Sequence, residues 1–214
     1  KPDRRQRQMC IRDSNLLHGS DCLKVADDAM LFKQIVKGVA RKHRLAASFM
    51  AKPHADRPGN GMHVHLSVID QRGQNIFDDG SEAGSQLMQH ALAGLLTAMP
   101  ESMLIFAPHH NSYRRFAIES HAPLAACWGY ENRTTALRIP MGPTQQRRIE
   151  HRVAGTDSNP YLVLATILAG VLAGLDQGAP PPPPTEGSAY DVNLPSLPLT
   201  WQTAYGAFAK GSVL

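Results

Sequence analysis

Only three cysteines occur in the 214 residues, Cys10, Cys22 and Cys127. They are too few and too scattered for a disulfide framework or a thiolate metal site, and such usage fits a reducing, cytoplasmic setting. No apolar run reaches the roughly 18 residues that a bilayer-spanning helix needs. The longest, residues 161–175, reads as a buried helix, and no membrane partner is expected. The first residues are polar and arginine-rich, so no secretory signal is read there. Outside one stretch the positive and negative charges nearly balance. Of the net charge of +4, residues 1–13 carry +3, from Lys1, Arg4, Arg5, Arg7 and Arg12 against Asp3 and Asp13. With no zinc-finger spacing and no aromatic ribonucleoprotein motif, this reads as a solvated basic tail, and no nucleic-acid partner is expected.

What is present is a mixed pattern. Asp21 is placed to cap a helix from about Cys22 to Lys42. A short strand over 46–50, a glycine- and proline-punctuated loop over 53–61 and a second strand over 62–69 follow. An extended piece is read at 75–77, then a helix over 86–99 that ends before Pro100. Residues 111–139 alternate loops and extended segments, and 147–153 is strand-like. Asp157-Ser158-Asn159-Pro160 starts a helix over 161–176, apolar on nearly every face and so expected to be buried. Pro180 to Pro184 forms a stiff surface spacer, and a last helix begins near Leu199. Strands with intervening helices and no regular βαβ alternation argue an α+β fold.

Three constellations can carry chemistry. In Gly59-Asn60-Gly61-Met62-His63-Val64-His65-Leu66-Ser67, strand alternation puts His63, His65 and Ser67 on one face behind a loop that lets a ligand approach the backbone. Two imidazoles there suit a metal or a phosphate, or bond only to neighbours. Arg114, Arg115, Arg133, Arg138, Arg148 and Arg152 mostly have apolar or aromatic flanks, so they need anionic partners, either a ligand or structural carboxylates. In Arg148-Ile149-Glu150-His151-Arg152, an extended backbone aims Arg148, Glu150 and Arg152 the same way. That triplet is a surface charge ladder or a cleft wall, and spacing alone leaves both open.

Read in order, these pieces join Phe49-Met50-Ala51-Lys52-Pro53, Asn111-Ser112-Tyr113-Arg114-Arg115, Asn132-Arg133 with Arg138-Ile139-Pro140, and Asn159-Pro160-Tyr161-Leu162. The succession resembles the catalytic domain of the glutamine synthetase family from about Asn15 to at least Asp176. The resemblance implies a mainly antiparallel sheet with flanking helices. It also implies Mg²⁺ or Mn²⁺ held by His63 and Glu150, and ATP met by His65, Ser67, Arg133 and Arg138. Glutamate would be held by the Gly59 backbone, Arg115 and Arg152. The implied chemistry is attack of the glutamate side-chain carboxylate on the γ-phosphate, with Arg133 catalytic, followed by displacement of phosphate by an amine. Homo-oligomeric rings are implied as well.

Departures from the family bear on the amine. True glutamine synthetases carry a glutamate directly before Ala-Pro in a flap loop, and that carboxylate helps bind and deprotonate ammonium. Here His121 precedes Ala122-Pro123, with Glu119 two residues earlier. Imidazole in place of an anion weakens a site for a small cation and makes room for a larger amine. With Trp128-Gly129-Tyr130-Glu131-Asn132-Arg133-Thr134, this is similar to the γ-glutamylpolyamine (γ-glutamylputrescine-type) ligases. Ammonia, with Glu119 taking over the role, is the alternative, and a catalytically dead structural relative is the reading from another class. Residues 1–13 do not resemble the family, and residues 14–214 read as a partial catalytic domain cut at both ends, lacking the family's β-rich N-terminal domain. The 214-residue chain alone is therefore expected to be inactive.

Overall fold

The computed structural model describes residues 14–118 and 120–213. The basic stretch 1–13 and Glu119 lie outside the described residues. The chain divides into two compact units that part between Ala47 and Ser48. In the first, helix α1 (Cys22–Lys42) starts where Asp21 Oδ1 accepts hydrogen bonds from the Leu23 and Lys24 amides at 2.9 and 3.1 Å. It ends where Arg44 takes a left-handed φ of 57° and the Leu45 amide reaches back to the Ala40 carbonyl at 2.9 Å.

The second unit holds four short strands, β1 (Val64–Leu66), β2 (Trp128–Tyr130), β3 (Leu137–Ile139) and β4 (Ile149–His151). Its helices are α2 (Gln86–Phe106), the single turn α3 (His110–Tyr113), α4 (Pro160–Gln177) and α5 (Trp201–Phe208). The sheet runs β1-β4-β3-β2, antiparallel at β1–β4 and β4–β3 and parallel at β3–β2. Register puts His65 opposite Glu150 and Arg138 opposite Glu150, so one transverse row of the sheet carries all three. On the other face Val64, Leu137, Ile139 and Ile149 join Met88, Leu92, Met99, Met103 and Phe106 of α2 and Val163, Ile167 and Val171 of α4 in one core. Helix α4 crosses α2 at glycines: a Cβ on Gly94 would stand 2.2 Å from the Gly170 carbonyl oxygen and 2.5 Å from Gly174 Cα.

Three expectations need correction. Residues 46–50 form no strand, because side chains take their carbonyls: Thr156 Oγ1 donates to Phe49 at 3.0 Å and Asn60 Nδ2 to Met50 at 2.7 Å. Helix α2 runs through Pro100 to Phe106. Proline removes one N–H, but Met103 and Phe106 continue the buried face beyond it, and that burial outweighs the roughly 3 kcal/mol break. Helix α4 is buried on one side only, with Leu162 53% and Leu172 60% exposed. By length and composition its 18 residues could cross a bilayer, beyond what the apolar run indicated, yet here it packs on α2. The other elements lie near their expected places, each strand shorter than expected. Asn159 caps α4 with Pro160 in its first turn, and Thr200 caps α5.

Candidate active site

Alternation along 62–69 leaves His63, His65 and Ser67 exposed while Met62, Val64, Leu66 and Val68 turn inward. The exposed face meets Glu150 from the neighbouring strand. His63 Nδ1 lies 3.0 Å and His65 Nε2 3.8 Å from Glu150 Oε1. Arg152 Nη1 donates to the same oxygen at 2.8 Å. Arg138 Nε sits 2.7 Å from Glu150 Oε2 but out of line with its N–H, so this is an ion pair without a proper hydrogen bond, and buried Oε2 has no hydrogen-bond donor among the described residues. Arg152 is fixed further by donating Nη2 to the Arg133 carbonyl at 2.9 Å, and Arg148 Nε donates to His65 Nδ1 at 3.2 Å.

Electrostatics follow from this crowding. Burial alone would raise the Glu150 pKa, but the His63 hydrogen bond and the charges of Arg152, His63 and Arg138 outweigh it and bring the carboxyl down to about 2. The carboxylate stays charged in the interior because cations surround it. Burial lowers the His65 pKa below its ordinary value, although Glu150 pulls it upward. His151 points to the opposite face, fully buried against Phe106 with ring centroids 4.6 Å apart, and burial pushes its pKa down to about 3. Glu150 is thus one anion among Arg138, Arg152 and Arg148, and the surplus positive charge calls for an anionic ligand.

The glycine loop adjoins this cluster. A Cβ on Gly59 would stand 2.7 Å from the Ala51 carbonyl oxygen and 2.8 Å from Arg115 Cγ, so only glycine fits there. Arg115 Nη1 and His63 Nε2 both lie 3.4 Å from where a Gly61 Cβ would be, which ties the loop, the arginine and the histidine together. Arg115 is buried, donates Nη2 to the Val153 carbonyl and covers the Phe116 ring at 4.8 Å. Burial brings its pKa down to about 10, so it remains a cation at neutral pH. Asn111 clamps the loop's entry: the Lys52 amide donates to Asn111 Oδ1 at 3.0 Å, and Asn111 Nδ2 donates to the Lys52 carbonyl at 2.9 Å.

Gly59, His63, His65, Arg115, Arg138, Glu150 and Arg152 are therefore brought into one neighbourhood. Ser67 shares the exposed face beyond the end of β1. Arg133 gives its carbonyl to Arg152, while the residue itself lines an open cleft of about 660 Å³ with Tyr130, Asn132 and Gly187. His121 stands on a separate loop with a left-handed φ of 57°. Sequence reasoning gave no role to Asn111 or Asn132, although both stand in quoted motifs. It had no signal for Tyr190 either, which donates to the Ala122 carbonyl at 2.9 Å. Side chains that bond to distant backbone leave no local pattern to read.

As metal ligands, His63 and Glu150 fit in part. A spacing of 3.0 Å is a hydrogen bond, and it is also about the separation of two ligands held near 2.1 Å from one ion. Glu150 Oε2 is buried against the Arg138 guanidinium, so Oε1, the oxygen beside His63, is the one placed to share an ion with it. Among the described residues, no three His, Cys, Asp or Glu side chains converge to complete a shell. The pair fits two coordination positions, not a whole site.

Comparison with known proteins agrees with this geometry. Residues 13–214 match the catalytic domain of glutamine synthetase. The chain is 43% identical over 200 residues to gamma-glutamylputrescine synthetase of Escherichia coli, covering 94% of this chain and 42% of that protein. It is 39% identical over 184 residues to gamma-glutamylethanolamide synthetase of Streptomyces coelicolor, covering 86% and 39%. A glutamine synthetase of Pyrococcus abyssi is 39% identical over 173 residues, covering 81% and 39%. Among solved structures, the GmaS/ADP complex superposes with a TM-score of 0.84 at 34% identity, over 91% of this chain and 47% of that one. The chain spans about two fifths of the length of the curated relatives it matches. With the row of imidazole, carboxylate and guanidinium across its sheet, the chain belongs to the glutamine synthetase family and carries that family's catalytic-domain fold.

Proposed function

We propose that the protein works as an ATP-dependent glutamate–amine ligase that forms a γ-glutamyl amide through γ-glutamyl phosphate, with a polyamine or another larger amine as acceptor. The observation that carries the reading is Glu150, buried and ionised between His63, Arg138 and Arg152 on the rim of the Gly59–Gly61 loop. The names of the relatives in Escherichia coli and Streptomyces coelicolor, both built on larger amines, support it.

In this reading Arg115 and Arg152 hold the glutamate carboxylates, and the Gly59 backbone lies against the substrate. His65, Ser67, Arg133 and Arg138 face the nucleotide. Arg133 and Arg138 meet the negative charge that builds on the phosphoryl oxygens as the side-chain carboxylate attacks and ADP leaves, the contribution from which catalysis of this type draws most of its rate. The amine then attacks the acyl phosphate and displaces phosphate. His63 and Glu150 would hold a divalent cation, Mg²⁺ or Mn²⁺, which supplies further positive charge to the phosphates when bound. His121, an imidazole where an ammonia-using site has a carboxylate, favours a larger amine over ammonium. Glu119, the residue that would restore ammonia, lies outside the described residues. The reading carries with it a cytoplasmic setting and homo-oligomeric assembly, the latter checked by mass in solution.

The test is phosphate release with ATP, glutamate and Mn²⁺ across ammonium, putrescine, spermidine, ethanolamine and other monoamines, on the longest form of the protein its gene encodes. Amide formation fastest with a larger amine is expected. Ammonium preferred over every larger amine would refute the acceptor, and no glutamate-dependent phosphate release would refute the ligase.

A further inference from the structure

The stretch after the proline spacer is fastened to the site at four points. The Thr185 amide donates to the Trp128 carbonyl at 2.7 Å. Asn132 Nδ2 donates to the carbonyls of Thr185 and Gly187 at 3.0 and 2.7 Å, and the Ala189 amide donates to Thr134 Oγ1 at 2.8 Å. Asn132 and Thr134 flank Arg133, so this stretch is mounted on the connection that carries a phosphate-facing arginine. At its end Tyr190 donates its hydroxyl to the Ala122 carbonyl at 2.9 Å. Burial raises the phenol's pKa above its ordinary value, so it stays protonated as a donor.

The residue before Ala122 is His121, a non-glycine side chain at φ 57°. That conformation is disfavoured for a residue with a Cβ, and it persists only where neighbours hold it. The holders are visible. Ser120 Oγ donates to the Ala117 carbonyl at 2.5 Å and accepts from the Ala117 and Ala122 amides, both at 3.3 Å. Ala122 is buried. Tyr190 supplies the bond from outside the loop. The cost of a left-handed residue and the worth of one neutral hydrogen bond are of similar size, so losing the second is enough to release the first.

We infer that Tyr190 is a positioning residue for the amine: its hydroxyl fixes the loop that presents His121 and thereby helps set which amine is accepted. This rests on the ligase reading above. Tyr190 touches no substrate in this account; it acts through the Ala122 carbonyl and the backbone of His121.

The experiment is Tyr190→Phe, which keeps the ring and removes only the hydroxyl. Two readouts are taken: amide hydrogen exchange of the peptide containing residues 120–124, and separate kcat and KM values for amine, glutamate and ATP. Exchange is expected to quicken by about fivefold, the effect of one lost hydrogen bond. KM for the preferred amine is expected to rise by a similar factor, with KM for glutamate and ATP changed less than about twofold. Unchanged exchange overturns the inference, because the hydroxyl then holds nothing. Faster exchange with all three substrates weakened alike, or none weakened, overturns it too, since the hydroxyl would then serve the fold and not the amine. Were the wild-type protein to form no amide with any amine, the ligase reading would fall, while the exchange comparison would still decide whether Tyr190 holds the loop.

Discussion

Arg152 and Glu150 stand two residues apart on one strand, both with 4% side-chain exposure, and Arg152 Nη1 donates to Glu150 Oε1 at 2.8 Å. Arg138 approaches the other carboxylate oxygen. Removing the carboxylate leaves two guanidinium groups, one deeply buried and one largely so, without an anion. Glu150→Gln is expected to destabilise the fold by about 3 kcal/mol, measured as a lower urea midpoint at neutral pH. A midpoint equal to wild type would mean that the carboxylate does not balance those cations.

The crossing of α2 and α4 leaves no room for a methyl group. Gly94→Ala gains helix propensity of about 1 kcal/mol, but its Cβ would press on the Gly170 carbonyl at 2.2 Å and the Gly174 backbone nitrogen at 2.4 Å. Net destabilisation of about 2 kcal/mol is expected, read by thermal or urea unfolding. Gly38→Ala in α1, where a Cβ meets nothing within 4 Å, is the control and should raise helicity by circular dichroism.

Asn111 makes two hydrogen bonds to the Lys52 backbone, a contact that holds the entry to the Gly59 loop. Asn111→Ala is expected to cost about 2 kcal/mol in stability and to raise KM for glutamate more than KM for ATP. Equal effects on both substrates would count against a link between the clamp and the proposed glutamate site.

For the cation, the direct readout is Mn²⁺ binding followed by electron paramagnetic resonance. His63→Ala and Glu150→Gln should each weaken binding at least about tenfold, the loss of roughly 1.4 kcal/mol. His151→Ala, altered on the opposite face of the same strand, should bind Mn²⁺ as wild type does wherever it remains folded.

Placing an anion at position 121 tests the proposed amine choice. His121→Glu is expected to raise kcat/KM for ammonium relative to the preferred larger amine by about tenfold, since one added charge near an ammonium ion is worth roughly 1–2 kcal/mol in a partly solvated site. An unchanged ratio would remove His121 from the acceptor pocket.

Much of this arrangement was legible in the residues. Alternation from Met62 to Ile69 foretold which side His63 and His65 would take, because a strand with one buried face admits only one assignment. The caps Asp21 and Asn159 announced their helices for a similar reason, since each binds amides within three residues of itself. Residues 46–50 misled because extended sequence does not reveal whether a carbonyl will meet a strand or the side chains of Thr156 and Asn60. Pro100 misled because the residues that hold α2 together beyond it, Met103 and Phe106, draw their stability from distant partners. The partners of Arg115 were invisible for the same reason: Val153 and the Gly59 loop reach it only through the fold.

The shared row of His65, Glu150 and Arg138 has a consequence for how the sheet is specified. A slip of one residue between β4 and β3 would aim Glu150 into the apolar layer beneath and turn Ile149 and His151 toward water, a double penalty. Strands of three residues offer few ladder bonds with which to choose their alignment, so the ionic row helps to choose it. Sequence drift that loosened this ionic row would also loosen the pairing, which ties the loss of these charged groups to the loss of the fold that holds them.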